Sequence, residues 1–147
     1  MTTRVEYLLD ANVISEMMRP APTAQVAIYL DSIAERGLAI ASITVWEILN
    51  GIGRLDSGQR RSQLARLFHD LIELYFEDRV FDWSLSDAEC CARIMEEKRR
   101  RGEPLDDHLP DAMLAGLAVN HNLTVVTRNE SEFRNTGAKF VNPWQLG

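Results

Sequence analysis

The sequence predicts an α/β fold, a three-layer α/β/α sandwich around a central parallel sheet. Short apolar runs alternate along the chain with longer stretches in which apolar residues recur at helical spacing. Strands that alternate with helices pair in parallel, because each helix carries the chain back across the sheet. With 147 residues, the chain has the length of one domain, which we expect to span residues 1–147.

Each predicted strand is a short apolar run bounded by polar or turn-forming residues. The first covers residues 5–9 and ends in Asp-Ala-Asn. The others are predicted over residues 38–41, 79–82, 124–127 and 139–141. In a parallel sheet, all of these strands end at the same edge.

Each predicted helix carries apolar residues at intervals of three and four. The first covers residues 23–36 and is closed by Gly37. Four more are predicted over residues 44–55, 59–77, 86–101 and 110–120. At the start of the 86–101 helix, Ser86 followed by Glu89 resembles a capping box.

The composition excludes several classes of protein. No apolar run approaches the ~20 residues of a membrane span, and the first ten residues lack the layout of a signal peptide. We therefore expect a cytoplasmic protein with no membrane partner. The formal net charge is −6, whereas nucleic-acid binders are usually basic. This charge argues against RNA binding unless the acids are concentrated at a metal site.

The cysteines and histidines do not indicate a disulfide or a zinc site. Cys90 and Cys91 are adjacent and poorly placed to bridge, so we expect a reduced core thiol beside a surface one. The histidines, His69, His108 and His121, show no paired ligand spacing.

Polar residues follow or flank the predicted strands at comparable places. Asp10 comes just after the first strand, and Glu47 lies early in the helix after the second. Asp111 opens a helix of small residues directly after Pro110, and Asn129 follows the 124–127 strand. Ligands of open parallel sheets bind outside the carboxyl ends of the strands. We therefore expect these side chains to converge on one edge of the sheet.

Acids on apolar helix faces indicate a divalent cation. Burying a carboxylate is unfavourable unless it is paired or bound to a metal, and close carboxylates repel one another. A cation such as Mg²⁺ prefers oxygen ligands and can activate water for attack on a phosphodiester. Taken singly, the acids have simpler explanations: Asp111 suits the helix dipole, and Asp10 can cap the next helix.

These residues lie in segments that resemble the motifs of PIN domains. YLLDANVISEMMRP resembles their LLDTNVIS-type start, and ASITVWEILNG resembles the second acidic motif, with Glu47. LPDAMLAGLAVNHNLTVVTRNESEF resembles the third and fourth motifs in one run. The closing NPW is similar to the end of bacterial VapC-type toxins, so the resemblance spans nearly the whole chain.

The resemblance implies a PIN fold and an endoribonuclease that depends on Mg²⁺ or Mn²⁺. It also implies the toxin of a type II toxin–antitoxin system, which a VapB-type antitoxin holds inactive, and a homodimer or larger assembly. The implied metal-binding acids are Asp10, Glu47 and Asp111. Asn129 matches the fourth position, which is Asp in some members and Asn in others. An Asn keeps an oxygen ligand but no charge, so its implied role is to orient water or substrate.

The resemblance extends to three supporting polar positions, Asn12, Thr44 and Thr127. One departure precedes Pro110, where Asp106, Asp107 and His108 occupy a segment that many members fill with apolar residues. Asp107 is expected to cap the helix, and the alternative is a ligand added from the side.

Basic residues offer candidates for contact with RNA. The run from Lys98 to Arg101 suits a solvated helix end, and its alternative roles are an RNA-phosphate patch or a surface that receives the antitoxin. Arg60, Arg61 and Arg66 form a comparable group. Arg128 lies beside the predicted sheet edge and is the better candidate for a phosphate contact.

Two other functions remain open from the sequence. In a phosphotransfer or receiver-like domain, Asp10 would accept the phosphoryl group, but Asp10-Ala-Asn12 lacks a second acid. The lysines, Lys98 and Lys139, do not follow a strand at the sheet edge. In a degenerate PIN binding module, the acids would have lost their function, and the presence of all three argues against this.

Overall fold

The computed structural model describes residues 4–104 and 109–146. In chain order, its elements are β1 (Tyr7–Leu9), α1 (Ala11–Met17), α2 (Ala24–Ile33), β2 (Leu38–Ala41), α3 (Ser42–Gly53), α4 (Gln59–Tyr75), β3 (Val80–Phe81), α5 (Leu85–Arg100), α6 (Leu109–His121), β4 (Thr124–Val126), α7 (Glu130–Phe133) and β5 (Lys139–Val141). A 3₁₀ turn, Ala34–Arg36, follows α2. None of the described helices combines the length and apolar character that crossing a membrane requires.

The strands form one parallel sheet in the order β3-β2-β1-β4-β5, with β1 at its centre. On one face, Leu9 of β1 packs with residues of α1 to α4. On the other face, Leu8 packs with residues of α5, α6 and α7. Successive side chains of a strand point to opposite faces, so a strand covered on both sides is apolar throughout. The predicted three-layer sandwich is confirmed.

The predicted elements agree with the observed ones to within three residues at each end, but α1 and α7 were not predicted. These helices have seven and four residues, too few to display a helical repeat. Gly37 follows the turn after α2, as predicted. Its φ of 95° is in the left-handed region, and a Cβ there would overlap the carbonyl oxygen of Arg4, so glycine is required.

The predicted capping box at Ser86 and Glu89 is wrong. The box lies two residues earlier: the Asp87 amide donates to Ser84 Oγ at 3.2 Å, and the Ser84 amide donates to Asp87 Oδ2 at 2.9 Å. Asp87 is fully buried and also accepts from Asn120 Nδ2 at 2.8 Å. This tertiary contact favours Asp87 over Glu89 as the partner in the box.

The prediction of one surface thiol is also wrong, since Cys90 and Cys91 are both buried and free. Gly116 of α6 lies so close to α5 that a Cβ there would be 2.8 Å from the Cys91 amide nitrogen. Cys90 Sγ accepts a hydrogen bond from Arg93 Nη2 at 3.0 Å. The close packing of α5 on α6 therefore buries both cysteines, whereas the sequence of α5 predicted that one of them would be exposed.

Candidate active site at the carboxyl end of the sheet

Asp10 lies at the centre of the sheet edge, directly after β1. Its amide donates to Val126 O of β4 at 3.0 Å. Its Oδ1 accepts from the Ala11 amide at 2.7 Å, which caps α1. The capping role considered for Asp10 is therefore confirmed, and it involves Oδ1 of the carboxylate.

Glu47 and Asp111 reach the same edge from two helices. α3 begins immediately after β2 and carries Glu47 in its second turn. α6 leads into β4, so its last residue lies near the start of the strands. Its first turn, with Asp111, lies roughly 15 Å away at the carboxyl end, since a helix rises 1.5 Å per residue.

The electrostatics indicate that the three carboxylates are close enough to influence one another. Burial, followed by the charge of Asp10, raises the pKa of Glu47 to about 7. Burial raises the pKa of Asp111 to about 7, with further contributions from Asp10 and Glu47. The structure therefore brings the three predicted acids together, and their role as metal ligands stays a prediction.

Asp111 does not behave as an ordinary acid in the first turn of a helix. The helix dipole alone would lower its pKa, whereas burial and its acidic neighbours raise it. The residue is 7% exposed, and such burial of a charge is unfavourable without compensation. The simple dipole explanation is therefore insufficient for Asp111.

Asn12 and Thr127 support the Asp10 carboxylate. Thr127 Oγ1 donates to Asp10 Oδ2 at 2.8 Å, and Asn12 Nδ2 donates to the same oxygen at 3.3 Å. Asn12 Oδ1 in turn accepts from the Arg128 amide at 3.1 Å. Burial raises the pKa of Asp10, and the bonds from Thr127, Ala11 and Asn12 act in the opposite direction. These contacts connect β1 to the turn after β4.

We expect Thr127→Val to weaken the site without disrupting the sheet. The change removes a buried hydrogen bond to a carboxylate, so it should destabilise the fold by about 1–3 kcal/mol. It should also reduce the ribonuclease activity expected from the sequence by roughly 10-fold to 100-fold, as loss of a group that orients a metal ligand does. Chemical denaturation and RNA cleavage assays measure these effects. Thr127→Ser keeps the hydroxyl and should remain close to wild type, and equal loss in both variants would contradict this role.

Thr44 has an unusual environment for a hydroxyl. It is fully buried on α3, and among the described residues its Oγ1 is the buried side-chain polar atom that makes no hydrogen bond. It lies three residues before Glu47 and so shares a helix face with it. Buried hydroxyls are normally hydrogen-bonded. Thr44 therefore fits a site that receives an ordered water, an ion or a substrate group.

Asn129 and Arg128 lie at the turn after β4. Asn129 is exposed, and its amide donates to Thr127 Oγ1 at 3.0 Å. The guanidinium carbon of Arg128 lies 4.9 Å from the centre of the Trp144 ring, a cation–π contact. Both side chains are accessible at the predicted edge, and their roles toward substrate stay predictions.

Glu132 is a site residue that the sequence analysis missed. It is partly exposed on α7, and its charge contributes to the raised pKa of Asp111. The charge of a fourth acid, three residues after Asn129, therefore acts on Asp111. The acidic run Glu-Ser-Glu after Asn129 was the available signal, but α7 was not predicted, so nothing indicated where Glu132 would lie.

The donor set fits Mg²⁺ or Mn²⁺, since it consists of carboxylate and hydroxyl oxygens. Within the described ranges, the tight group of potential ligand atoms, all within 4.8 Å of one another, is His69, Asp70 and Glu73 on α4. These three residues are exposed and come from one helix, as surface acids often do. The ligand atoms of Asp10, Glu47 and Asp111 are spaced more widely than those of this group. Such spacing suits Mg²⁺, which typically combines one or two carboxylates with water ligands.

A groove of about 640 Å³ adjoins the acidic centre. Residues of α1, α3 and α4 line it, and most of its lining is apolar, including Met18, Ile48 and Leu64. Glu47 and Asn12 form part of its wall, so the groove leads into the centre. Asp106, Asp107 and His108, considered above as a cap or added ligand, lie outside the described residues.

Comparisons with known proteins agree with this geometry. The chain is 31% identical over 137 residues to toxin FitB of Neisseria gonorrhoeae, covering 93% of this chain and 97% of FitB. It is 28% identical over 138 residues to VapC ribonuclease Y4jK of Sinorhizobium fredii, covering 94% and 97%. The crystal structure of FitAcB from Neisseria gonorrhoeae superposes with a TM-score of 0.81 at 32% identity, covering 95% of this chain and 99% of that chain.

The family model of the PIN domain matches residues 7–139. This range contains β1 to β4, the first residue of β5 and the three central acids, Asp10, Glu47 and Asp111. The order of elements, the acids at the carboxyl edge and the sequence match are therefore mutually consistent. The chain belongs to the PIN domain family.

Proposed function

We propose that this protein is a cytoplasmic endoribonuclease that depends on Mg²⁺ or Mn²⁺ and acts as the toxin of a VapBC-type toxin–antitoxin pair. The observation that carries the proposal is the cluster of three acids at the carboxyl edge of a PIN domain, in which Asp10 and Asp111 are buried and the pKa values of Glu47 and Asp111 are raised to about 7. Two relatives that match nearly the full length of the chain are named as a ribonuclease and as a toxin. These names support the proposed activity and the proposed role as a toxin.

In this proposal, Asp10, Glu47 and Asp111 hold the divalent ion. When bound, the ion supplies a Lewis acid for the phosphodiester and lowers the pKa of the attacking water. Three donors fix the carboxylate of Asp10 in place. Glu47 and Asp111 have to lose their protons for the ion to bind, so binding strengthens as the pH rises through about 7.

The remaining edge residues would bind and orient the RNA. Asn129 presents an uncharged amide that orients water or substrate. Arg128 presents a guanidinium suited to phosphate, held in place by its contact with Trp144. A chain with a net charge of −6 would repel RNA as a whole, so affinity depends on the ion and on such local cations.

The proposed partner is a VapB-type antitoxin in a complex that contains a dimer of the toxin. The lining of the groove beside Glu47 is mostly apolar and also includes Arg19 and Arg60. These properties suit a segment of antitoxin with apolar and acidic side chains, which would block access to the centre from one side. FitAcB, the solved complex to which this chain is similar, supports an assembly of this kind.

Purified protein, separated from antitoxin, is expected to cleave single-stranded RNA in the presence of Mn²⁺. Chelation with excess EDTA should stop cleavage, and Mn²⁺ added back should restore it, because the ion completes the centre. Asp10→Ala should be inactive under all of these conditions. Equal cleavage by wild type and Asp10→Ala would mean that another nuclease is responsible and would contradict the proposal.

The two alternative functions make different predictions. A receiver-like domain would become labelled by an acyl phosphate at Asp10, and membership of the PIN domain family gives this alternative no support. A degenerate PIN module would bind its antitoxin but no metal. A Mn²⁺ titration by calorimetry that detects no binding would favour the degenerate module.

A further inference from the structure

Lys98 differs from the other members of the basic run at the end of α5. It is 9% exposed, whereas the side chains of Arg99 and Arg100 are 58% and 67% exposed. Arg99 and Arg100 form ion pairs with Glu96 and Glu97 on the outer face of the same helix. The expectation of a uniformly solvated helix end is therefore wrong for Lys98.

The packing of α5 on α6 explains where Lys98 lies. Asp87 contacts Asn120, and Cys91 contacts Gly116, so the two helices run antiparallel. Lys98 lies seven residues after Cys91 on α5, and Leu109 lies seven residues before Gly116 on α6. In an antiparallel pair of helices, these two positions are therefore next to each other. Lys98 therefore lies beside the first turn of α6, which also carries Asp111.

The charge of Lys98 reaches the acidic centre. Burial and the charges of Asp10, Glu47 and Glu132 raise the pKa of Asp111, and among the described residues the charge of Lys98 acts in the opposite direction. A buried ammonium at this place offsets part of the repulsion among the carboxylates. The same positive charge would repel a divalent ion held by these carboxylates, because like charges repel.

We propose that Lys98 is a positioning residue that sets how tightly the acidic centre binds a divalent ion. Its ammonium is a built-in positive charge that stabilises the centre before the ion enters and opposes the ion once it has entered. The inference rests on the proposed metal site at Asp10, Glu47 and Asp111. It adds a residue from α5 that the sequence placed in solvent.

The test is a Mn²⁺ titration of Lys98→Met at pH 8.0 by isothermal calorimetry, in the absence of RNA. The dissociation constant is expected to fall about fivefold, because the variant removes a positive charge that repels the divalent ion. Arg99→Met is the matched control, since it removes the same charge from an exposed neighbouring position. Its affinity should stay within about twofold of wild type, because exposed charges are screened.

Two further variants separate the charge from the packing of the side chain. Lys98→Arg keeps the charge and should bind Mn²⁺ as wild type does. Lys98→Gln also removes the charge and should bind Mn²⁺ about fivefold more tightly than wild type. It is the variant to use if Lys98→Met does not fold. Weaker Mn²⁺ binding by the neutral variants would indicate a purely structural role, and unchanged binding would indicate no role; either result would overturn the proposal.

The experiment also distinguishes this inference from the proposed function. If wild type binds no Mn²⁺, the metal site itself is wrong. If wild type binds Mn²⁺ and Lys98→Met binds it equally tightly, the metal site stands and only the role of Lys98 fails.

Discussion

Glu47→Gln is expected to reduce Mn²⁺-dependent RNA cleavage on the order of 10³-fold, the scale seen when one electrostatic group is removed from a catalytic centre. Glutamine has the shape of glutamate but cannot provide the negative charge that holds the ion. The fold should be preserved or slightly stabilised, because burial and Asp10 already disfavour the charged form of Glu47. Single-turnover cleavage of an RNA oligonucleotide and thermal denaturation measure the two effects.

Glu73→Gln is the matched control for this experiment. Glu73 is an exposed helical glutamate in the group His69, Asp70 and Glu73, the competing candidate for a metal site. If the buried centre binds the ion, Glu73→Gln should cleave RNA at the wild-type rate. Loss of cleavage in Glu73→Gln together with retention in Glu47→Gln would move the site to α4 and contradict our assignment.

The metal-free protein is expected to lose stability as the pH rises from 5 to 8. Asp111 and Glu47 have ordinary pKa values of 3.8 and 4.5, and both are raised to about 7 in the folded state. Between these values the unfolded chain has already released protons that the folded protein still binds. Stability therefore falls with increasing pH until about pH 7 and then levels off.

Thermal denaturation in EDTA measures this effect, and we expect the Tm to fall by about 5 °C across the range, allowing for solvent screening. Mn²⁺ should recover the loss at pH 8 and have little effect at pH 5, where the carboxyl groups retain their protons. Asp111→Asn should show a smaller change of Tm with pH.

Glu16 and Asp87 have lowered pKa values, so their stabilising contributions are lost only at more acidic pH. A Tm that is constant or rises from pH 5 to 8 would contradict the burial of repelling acids.

Much of the site was predictable because parallel strands end at one edge. Asp10, Glu47 and Asp111 were assigned to that edge from their positions relative to strands and helices, and their mutual effects on pKa agree with it. Asn129 also lies there, but its exposed side chain leaves its role to experiment.

The local sequence was less informative where two neighbouring residues were equally good candidates for the same role. Ser84 and Ser86 are each followed three residues later by an acid, and the contact of Asp87 with Asn120 decides between them. The short helices α1 and α7 have too few residues to show a period. Missing α7 also meant missing Glu132, because the direction of its side chain depends on that helix.

The alternation of the strands with the five longer helices, the apolar faces and the positions of the three acids relative to these elements were determined by the sequence itself, since each depends on residue spacing within one or two neighbouring elements. Tertiary structure alone decided that Lys98 is buried, that both thiols are covered and that Glu132 joins the acidic centre. These features depend on how one helix packs against another. When two helices pack, the side chains that come into contact belong to distant parts of the chain. The spacing of residues within one helix does not show which side chains of the other helix it will contact.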